Sequence, residues 1–314
     1  MSAINGQSSY PTLGKIIKYD NALDKLIAPD AKIEVLASGY IWTEGPVWVK
    51  NGNYLLFSDV PANTIFKWKE NEGVNIFLTP SGYTGTGIYS NEPGSNGLII
   101  NQKGELVACE HGDRRVSAMP LSNGGKRTLA DNFQGKKFNS PNDVTLDNRG
   151  NLFLTDPPYG LVKQEKDSSK ETPYQGVYEI TPDGKVTLLV DTLTRPNGIA
   201  LSPDGQFLFI ANSDSAKARW YKYKLGDQSV VSGEVFNDAR TLPKSQIGGP
   251  DGMKIDKTGT VFATGPGGVL IFNSKGKLLG RINLAQSTAN VALNENQKTL
   301  YITSDSLVLR LKMR

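Results

Sequence analysis

The fold is decided by the stretch Arg195-Pro196-Asn197-Gly198-Ile199-Ala200-Leu201-Ser202-Pro203-Asp204-Gly205-Gln206-Phe207-Leu208-Phe209-Ile210-Ala211-Asn212. It begins with a polar amide, passes through a short apolar run to an Asp-Gly turn, and ends with a second apolar run. Asp-Gly between two strand-like segments is a strong hairpin signal, because glycine supplies the positive φ that tight turns need. The stretch therefore predicts two antiparallel strands, the second of which returns to the level at which the first began.

The same pattern recurs along the chain. In five copies the first polar residue, called the head residue below, precedes the turn glycine by the same eight positions. The head residues and their glycines are Glu44 and Gly52, Asn96 and Gly104, Asn142 and Gly150, Asn197 and Gly205, and Asp251 and Gly259. A degenerate sixth copy begins at Ala289-Asn290. A constant internal offset is what identical supersecondary units leave in a sequence.

Six such units predict an all-β fold, the six-bladed β-propeller. Two further strand-like runs follow each of the first five copies, and successive heads lie 39 to 55 residues apart. The sixth unit has only three strands, while residues 33–37 form a strand-like run without a partner. Placing this N-terminal strand in the last blade closes the ring and removes an exposed sheet edge. We therefore predict an N-terminal arm over residues 1–31 and a single propeller domain over residues 32–314.

Three long segments, 79–95, 157–175 and 237–249, are inserted between the strand-like runs. They contain glycine, proline or serine and have no counterpart of similar length in the other units. Long loops held by a rigid scaffold often carry binding residues. Each segment is therefore a candidate lid or site-lining loop.

Composition excludes several classes of function. The 314 residues carry a net charge of +4, from 35 basic and 31 acidic side chains without a long run of one sign, so nucleic acid is not an expected partner. The single Cys109 excludes an intrachain disulfide framework and a thiolate metal cluster. No apolar stretch approaches the roughly 20 residues of a membrane helix, so no membrane partner is expected. Oligomeric state stays open, as does the compartment, which is cytoplasmic or, after removal of a signal peptide, periplasmic.

The head residues are the candidate functional site. The first strand of a propeller blade lines the channel, so five heads in one register should meet at one mouth. The last residues of the second strands should surround them; these are Asp59, His111, Asp156, Asn212 and Ser304. Two carboxylates and several amide oxygens on one axis suit a hard divalent cation. A single head is equally typical of an ordinary turn residue, but five in one register favour metal binding.

Three other residues are candidates at the same mouth. His111 is the only histidine, lies in a polar segment, and is expected to face the substrate. Tyr159 and Trp42 flank the rim and could pack against a sugar ring, although ordinary core packing explains them equally well. The chain has no Gly-x-Ser-x-Gly motif and no Cys–His pairing, so a nucleophilic triad is disfavoured.

The chain resembles the gluconolactonase/regucalcin family of six-bladed propellers over residues 33 to 314, and the bacterial gluconolactonase branch most. The motifs that carry the resemblance are Glu44-Gly45-Pro46-Val47-Trp48, Cys109-Glu110-His111-Gly112-Asp113-Arg114-Arg115, Ser140-Pro141-Asn142-Asp143, Arg195-Pro196-Asn197-Gly198 and Gly249-Pro250-Asp251-Gly252. The resemblance implies that Glu44, Asn197 and Asp251 hold a divalent cation and that Asn142 is a ligand or a substrate contact. Ser140 stands where regucalcins carry an arginine that helps to hold the substrate.

The leading hypothesis is a metal-dependent lactonase, a carboxylic ester hydrolase that opens a sugar-acid lactone. The cation, with Ca²⁺ as first choice and Mg²⁺, Mn²⁺ or Zn²⁺ as alternatives, would sit on Glu44, Asn142, Asn197 and Asp251. Asp251 or Asp143 would take the proton of the attacking water, with His111 as the alternative base. Asn96, Asn142, His111 and Tyr159 would bind the substrate.

Two alternatives remain open at this point. The same metal site would suit a promiscuous aryl-ester or phosphotriester hydrolase if Tyr83, Tyr89 and Tyr159 formed an apolar rim. A propeller can also be a non-catalytic interaction module, because this fold hosts many functions.

Overall fold

Six antiparallel sheets surround a central channel in the computed structural model, which describes residues 10–87, 89–122 and 124–314. The first strand of each sheet lies against the first strand of the next, all the way round the ring. The predicted all-β, six-bladed propeller is thereby confirmed. Helical structure in the described residues is limited to short 3₁₀ segments, which are Asn21–Lys25, Lys50–Gly52, Gln164–Lys166, Ser215–Lys217 and Ala239–Thr241.

Two strands precede the first blade, and the next strands form blades 1 to 3. The N-terminal strands are β1 (Lys15–Lys18) and β2 (Ile33–Ser38). Blade 1 contains β3 (Thr43–Val49), β4 (Tyr54–Asp59), β5 (Thr64–Lys69) and β6 (Gly73–Leu78). Blade 2 contains β7 (Ser95–Ile100), β8 (Glu105–Glu110), β9 (Arg115–Pro120) and β10 (Arg127–Ala130). A small hairpin of β11 (Asn132–Phe133) and β12 (Lys136–Lys137) precedes blade 3, which contains β13 (Val144–Leu146), β14 (Leu152–Asp156), β15 (Gly176–Ile180) and β16 (Val186–Val190).

The remaining strands form blades 4 to 6. Blade 4 contains β17 (Pro196–Leu201), β18 (Phe207–Asn212), β19 (Arg219–Leu225) and β20 (Val230–Asp238). Blade 5 contains β21 (Met253–Ile255), β22 (Val261–Gly265), β23 (Gly268–Phe272) and β24 (Leu278–Asn283). Blade 6 contains β25 (Asn290–Leu293), β26 (Thr299–Ser304) and β27 (Leu307–Lys312).

The N-terminal segment completes two blades. Strand β2 pairs antiparallel with β27, with Ile33 opposite Leu311, which confirms the predicted closure of the ring in the last blade. Strand β1 was not predicted; it pairs with β24 and gives blade 5 a fifth strand. The strand has only four residues, Lys-Ile-Ile-Lys, which are too few to show the alternation of apolar and polar residues that identifies a strand. Residues 1–9 of the predicted arm lie outside the described residues.

The core lies between neighbouring blades, because alternate residues of each strand point to opposite faces of its sheet. Blades 1 and 6, for example, share a cluster that includes Phe57, Trp68, Tyr301 and Val308. The free Cys109 is buried in the cluster between blades 2 and 3. These packed faces hold the inner strands, and with them the head residues, in fixed relative positions.

Glycine after the head residue allows neighbouring blades to approach closely at the mouth. A Cβ atom on Gly45, which has φ +47°, would lie 1.9 Å from the carbonyl oxygen of Asn96. A Cβ atom on Gly198 would lie 2.1 Å from the carbonyl oxygen of Asp251. A side chain is therefore excluded at the position after the head, where the backbones of neighbouring blades are in contact.

In the described residues, no helix is long and apolar enough to cross a membrane.

Candidate active site

All five head residues line one cavity at the mouth of the channel. The cavity has a volume of about 220 Å³ and is lined by Trp42, Glu44, Glu92, Asn96, Asn142, Tyr159, Asn197, Ser213, Gly249, Pro250 and Asp251. Sites for drug-sized ligands span about 300–1,000 Å³, so this cavity suits a smaller molecule. Each of the three long segments flagged in the sequence contributes to its wall, through Glu92, Tyr159 and Gly249 respectively.

The last residues of the second strands fix the heads, as their register predicts. The Asp59 carboxylate accepts hydrogen bonds from the backbone N–H groups of Ile41 (3.0 Å) and Trp42 (3.2 Å). Asp156 accepts in the same way from Asn139 (2.7 Å) and Ser140 (2.8 Å). In blade 4, Asn212 Oδ1 accepts from the N–H of Arg195 at 2.8 Å. In all three blades the bonded N–H groups lie two or three residues before the head, so the backbone that enters the cavity is held in place.

Two acidic heads are placed where ionisation is unfavourable. Burial, and then the charge of Asp143, raise the pKa of Glu44 to about 8. Burial, and then the charges of Glu44, Asp143 and Glu92, raise the pKa of Asp251 well above its usual range. A divalent cation between them would reverse both shifts, because an opposite charge favours the ionised carboxylates.

Oxygen atoms without partners mark the same place. Asn96 Oδ1 and Asp251 Oδ1 are buried and accept no hydrogen bond from the described residues. Buried polar atoms are nearly always paired, so unpaired ones need an explanation. Two carboxylates and three carboxamides form a set of hard oxygen ligands and fit a cation such as Ca²⁺. The described residues contain no group of three Asp, Glu, His or Cys side chains that could hold a metal, so any cation would depend on the carboxamides as well.

Asn197 connects the acidic heads to Tyr159. Its side chain lies close enough to lower the pKa of the Asp251 carboxyl and to oppose the burial that raises the pKa of the Tyr159 hydroxyl, and Ser213 acts on that hydroxyl in the same way. The loop that carries Tyr159 is tied down by Ser140, whose Oγ donates to the carbonyl of Pro157 (2.6 Å) and accepts from the N–H of Gly160 (2.9 Å). Ser140 therefore has a positioning contact in this chain and does not line the cavity.

Asp143 lies below the cavity. It occupies the position after a head, where blades 1, 2, 4 and 5 carry glycine. Its carboxylate accepts hydrogen bonds from Asn290 Nδ2 (3.3 Å) and from the N–H of Val144 (2.9 Å) and lies 3.9 Å from Lys254 Nζ. It contributes to the charge around Glu44 and Asp251 but is not part of the cavity wall. Its predicted role as a base stays a prediction, one that this position does not favour.

His111 is placed behind the cavity wall. The side chain is fully buried and its Nδ1 lies 3.3 Å from the carbonyl oxygen of Glu92. Burial lowers the pKa of His111 to about 4, so the ring is neutral at neutral pH. His111 does not line the cavity, and the structure brings it next to Glu92 instead of next to the head residues. Its role in catalysis or substrate contact likewise stays a prediction.

Glu92, like Ser213, lines the cavity and was not identified from the sequence. It lies outside the repeat, so the register could not identify it; the one available signal was the unusual length of segment 79–95. Two tyrosines from this segment, Tyr83 and Tyr89, stack on each other with ring centroids 4.9 Å apart and do not line the cavity. Of the three tyrosines that would form an apolar rim and favour a larger ester, only Tyr159 is among the described residues that line the cavity.

The family model described as "SMP-30/Gluconolactonase/LRE-like region" matches residues 42–306, a span that begins with Trp42 and includes all five heads. The chain belongs to the SMP-30/gluconolactonase/LRE-like family. The resemblance seen in the motifs is thereby confirmed. The family match ends within blade 6, so the N-terminal strands β1 and β2 lie outside it.

Relatives in this family match over nearly the whole chain. A gluconolactonase of Zymomonas mobilis is 40% identical over 311 residues, which cover 96% of this chain and 87% of the relative. The solved structure of a gluconolactonase from Xanthomonas campestris matches with a TM-score of 0.83 and 25% identity, covering 98% of this chain and 99% of that one. A calcium-binding regucalcin of Agrobacterium tumefaciens shares the fold, with a TM-score of 0.69 and 18% identity over 88% of this chain and 92% of that one.

Proposed function

We propose that this protein is a lactonase that opens a sugar-acid lactone with the help of a divalent cation held by Glu44, Asn142, Asn197 and Asp251. The observation that carries the proposal is the set of buried oxygens at the mouth, in which burial and neighbouring carboxylates raise the pKa values of Glu44 and Asp251 and two oxygen atoms lack partners in the described residues. The 40% identity to a gluconolactonase over nearly the full length supports the same reaction.

A bound divalent cation would supply Lewis-acid polarisation of the lactone carbonyl and lower the pKa of water. The chain's own residues then have distinct tasks. Asp251 is the favoured proton acceptor, because its Oδ1 has no partner in the described residues and it lines the cavity. Asp143 is disfavoured for that task, since Asn290 and Val144 already donate to it below the cavity.

The other residues of the cavity wall are placed to orient the substrate. Trp42 and Tyr159 contribute aromatic rings to the wall against which a sugar ring can pack, and the Arg195 guanidinium lies over the Tyr159 ring, 5.6 Å from its centroid. Asn96 presents a buried Oδ1 that accepts hydrogen bonds from substrate hydroxyls if it does not bind the cation. Rigid packing of the heads keeps these groups in place before substrate arrives, which lowers the cost of orienting it.

Elemental analysis combined with a lactonase assay before and after chelation tests this proposal. With glucono-δ-lactone as substrate, we expect bound cation, loss of activity on chelation, and recovery on adding the cation back. Glu44→Ala and Asp251→Ala should lose both cation and activity, whereas Asp204→Ala should keep both. Asp204 is a matched control because its carboxylate caps a turn through Ser202 and Gln206 at the other end of the same repeat. Full activity without any cation would overturn the metal-dependent mechanism, and no hydrolysis at all would favour an interaction module.

A further inference from the structure

Glu92 presents a carboxylate to the cavity that the proposed mechanism does not use. It is half-buried and lines the same wall as Trp42 and Tyr159. Within the described part of the chain, His111 Nδ1 approaches the Oε2 atom of this carboxylate at 3.7 Å. Neither of its oxygens accepts a hydrogen bond from another described residue. A carboxylate is an acceptor only, so this one is available to donors of a bound molecule.

The segment around Glu92 is fixed on the blade 1 side. The N–H of Gly94 donates to the carbonyl of Val60 at 3.0 Å, and the N–H of Val60 donates to the carbonyl of Trp42 at 3.2 Å. Trp42 is two residues from Glu44. This chain of backbone bonds therefore sets Glu92 beside the first acidic head, at the rim of the cavity.

The turn after β8 fixes the same segment from the blade 2 side. The N–H groups of His111 and Gly112 donate to the carbonyls of Gly94 and Pro93, each at 3.1 Å. His111 Nδ1 approaches the Glu92 carbonyl at 3.3 Å, and with the neutral ring the N–H on Nδ1 donates to that oxygen. Gly160 packs directly against the other side of His111, since a Cβ atom there would lie only 2.5 Å from His111 Cβ. His111 is thus placed to position Glu92.

Glu92 reaches the acidic group from outside the repeat. Its charge adds to the raised pKa of Asp251, after Glu44 and Asp143, and to that of Glu44, after Asp143. The pKa of Glu92 itself is raised to about 7 by burial. Its carboxylate is carried by the loop before β7 and not by a head position. It shares the cavity wall with Trp42 and Tyr159, the residues proposed to pack against the sugar ring.

We propose that the Glu92 carboxylate accepts hydrogen bonds from substrate hydroxyls and so selects polyhydroxylated lactones, and that His111 is its positioning residue. The inference rests on the proposed lactonase function. Vicinal hydroxyls of a sugar lactone match the two acceptor oxygens of a carboxylate. A site built to bind hydroxyls discriminates strongly against analogues that lack them, because its polar groups are then left unpaired.

The test compares glucono-δ-lactone with δ-valerolactone, which has the same ring and no hydroxyls. Glu92→Gln and Glu92→Ala should reduce the ratio of kcat/KM for the hydroxylated over the plain lactone by about tenfold or more, as expected for loss of a charge-assisted hydrogen bond. Most of the change should appear in KM for glucono-δ-lactone. An unchanged ratio would overturn the proposal.

Glu44→Gln is the matched control, because it changes a second glutamate of the same cavity in the same way. Calorimetric titration with Ca²⁺ should show loss of cation binding in Glu44→Gln but retention in Glu92→Gln. Loss of Ca²⁺ from both variants would reassign Glu92 to the cation site and contradict the proposal.

A binding measurement distinguishes a failure of the lactonase proposal from a failure of the proposed role of Glu92. The non-hydrolysable gluconolactam should bind wild type about tenfold or more tightly than it binds Glu92→Gln. If wild type opens neither lactone, the proposed function fails, and the lactam result decides the role of Glu92 in ligand binding independently. Turnover by wild type with an unchanged lactam affinity in Glu92→Gln would overturn the inference and leave the lactonase proposal standing.

His111 is tested by two substitutions. His111→Ala should lower the same substrate ratio as Glu92→Gln, whereas His111→Asn should restore part of it, because the asparagine amide places a donor near the position of Nδ1. A purely structural role would lower the rates with both lactones in parallel and would leave the ratio at the wild-type value. If His111→Ala does not fold, the ratio measured with His111→Asn and His111→Gln decides between these results.

Discussion

Asn290 Nδ2 donates a hydrogen bond to Asp143 Oδ2 at 3.3 Å across the channel. The two residues occupy the same position of the repeat in opposite blades, the position that is glycine in the other four blades. Lys254 Nζ approaches the same carboxylate oxygen at 3.9 Å. The channel below the cavity is therefore bridged by polar side chains, and Asp143 has a structural contact that accounts for its presence there.

The bridge gives a first prediction about stability. Asn290→Ala should lower the free energy of unfolding by about 1–3 kcal/mol, because it leaves a buried carboxylate oxygen short of a donor. Urea denaturation monitored by tryptophan fluorescence measures the change. An unchanged midpoint would show that Lys254 and the remaining backbone donors satisfy Asp143 without Asn290.

Close approach of the heads gives a second prediction. Gly198→Ala should destabilise the protein by about 2 kcal/mol or more, since its Cβ would lie 2.1 Å from a backbone carbonyl that packing holds in place. Gly125→Ala is the control, because nothing lies within 4 Å of a Cβ there. Denaturation midpoints of the two variants provide the comparison, and equal midpoints would contradict the steric argument.

Protonation of the acidic heads gives a third prediction. Glu44 has its pKa raised from 4.5 to about 8 in the cation-free protein, so at pH 7 the folded state holds a proton that the unfolded state has released. The stabilisation this proton provides is complete below pH 4.5 and is lost as the pH rises through about 8. Cation binding should therefore release protons at pH 6 to 7 and tighten as the pH rises to about 8.

Calorimetry in buffers of different ionisation enthalpy measures that proton release. Glu44→Gln should reduce the number of protons released per bound cation if any binding survives. Release of no proton at pH 6.5 by wild type would mean that both carboxylates are already ionised without the cation.

Burial of His111 gives a fourth prediction. Its pKa is lowered from 6.5 to about 4, so below pH 6.5 the unfolded state binds a proton that the folded state does not. Stability should therefore fall between pH 6.5 and about 4, by on the order of 3 kcal/mol from this residue. The acid slope of the unfolding free energy should be shallower in His111→Asn than in wild type. Parallel slopes in the two proteins would show that the ring is protonated in the folded state.

Most of the fold could be predicted from the sequence because the information is local and repeated. Each strand pair carries its own turn glycine and its own alternation of apolar residues, and the constant offset from Asn197 to Gly205 in five copies fixes the register. The place of the unpaired run 33–37 in the last blade could be predicted because an exposed sheet edge is unfavourable and is usually covered. The meeting of Glu44, Asn96, Asn142, Asn197 and Asp251 at one cavity follows from the same register.

The number of blades, the closure of the ring and the set of head residues can be predicted from local sequence patterns, because strand period and turn chemistry act between residues a few positions apart. Four features became visible only in the folded chain: Glu92 lines the cavity, His111 lies behind it, Asp143 bridges to Asn290, and β1 extends blade 5. These positions depend on backbone bonds and contacts between segments far apart in the chain, such as Gly94 with Val60 and Gly112 with Pro93. The sequence repeat does not predict such contacts, because they form only when the packed blades bring the loops together.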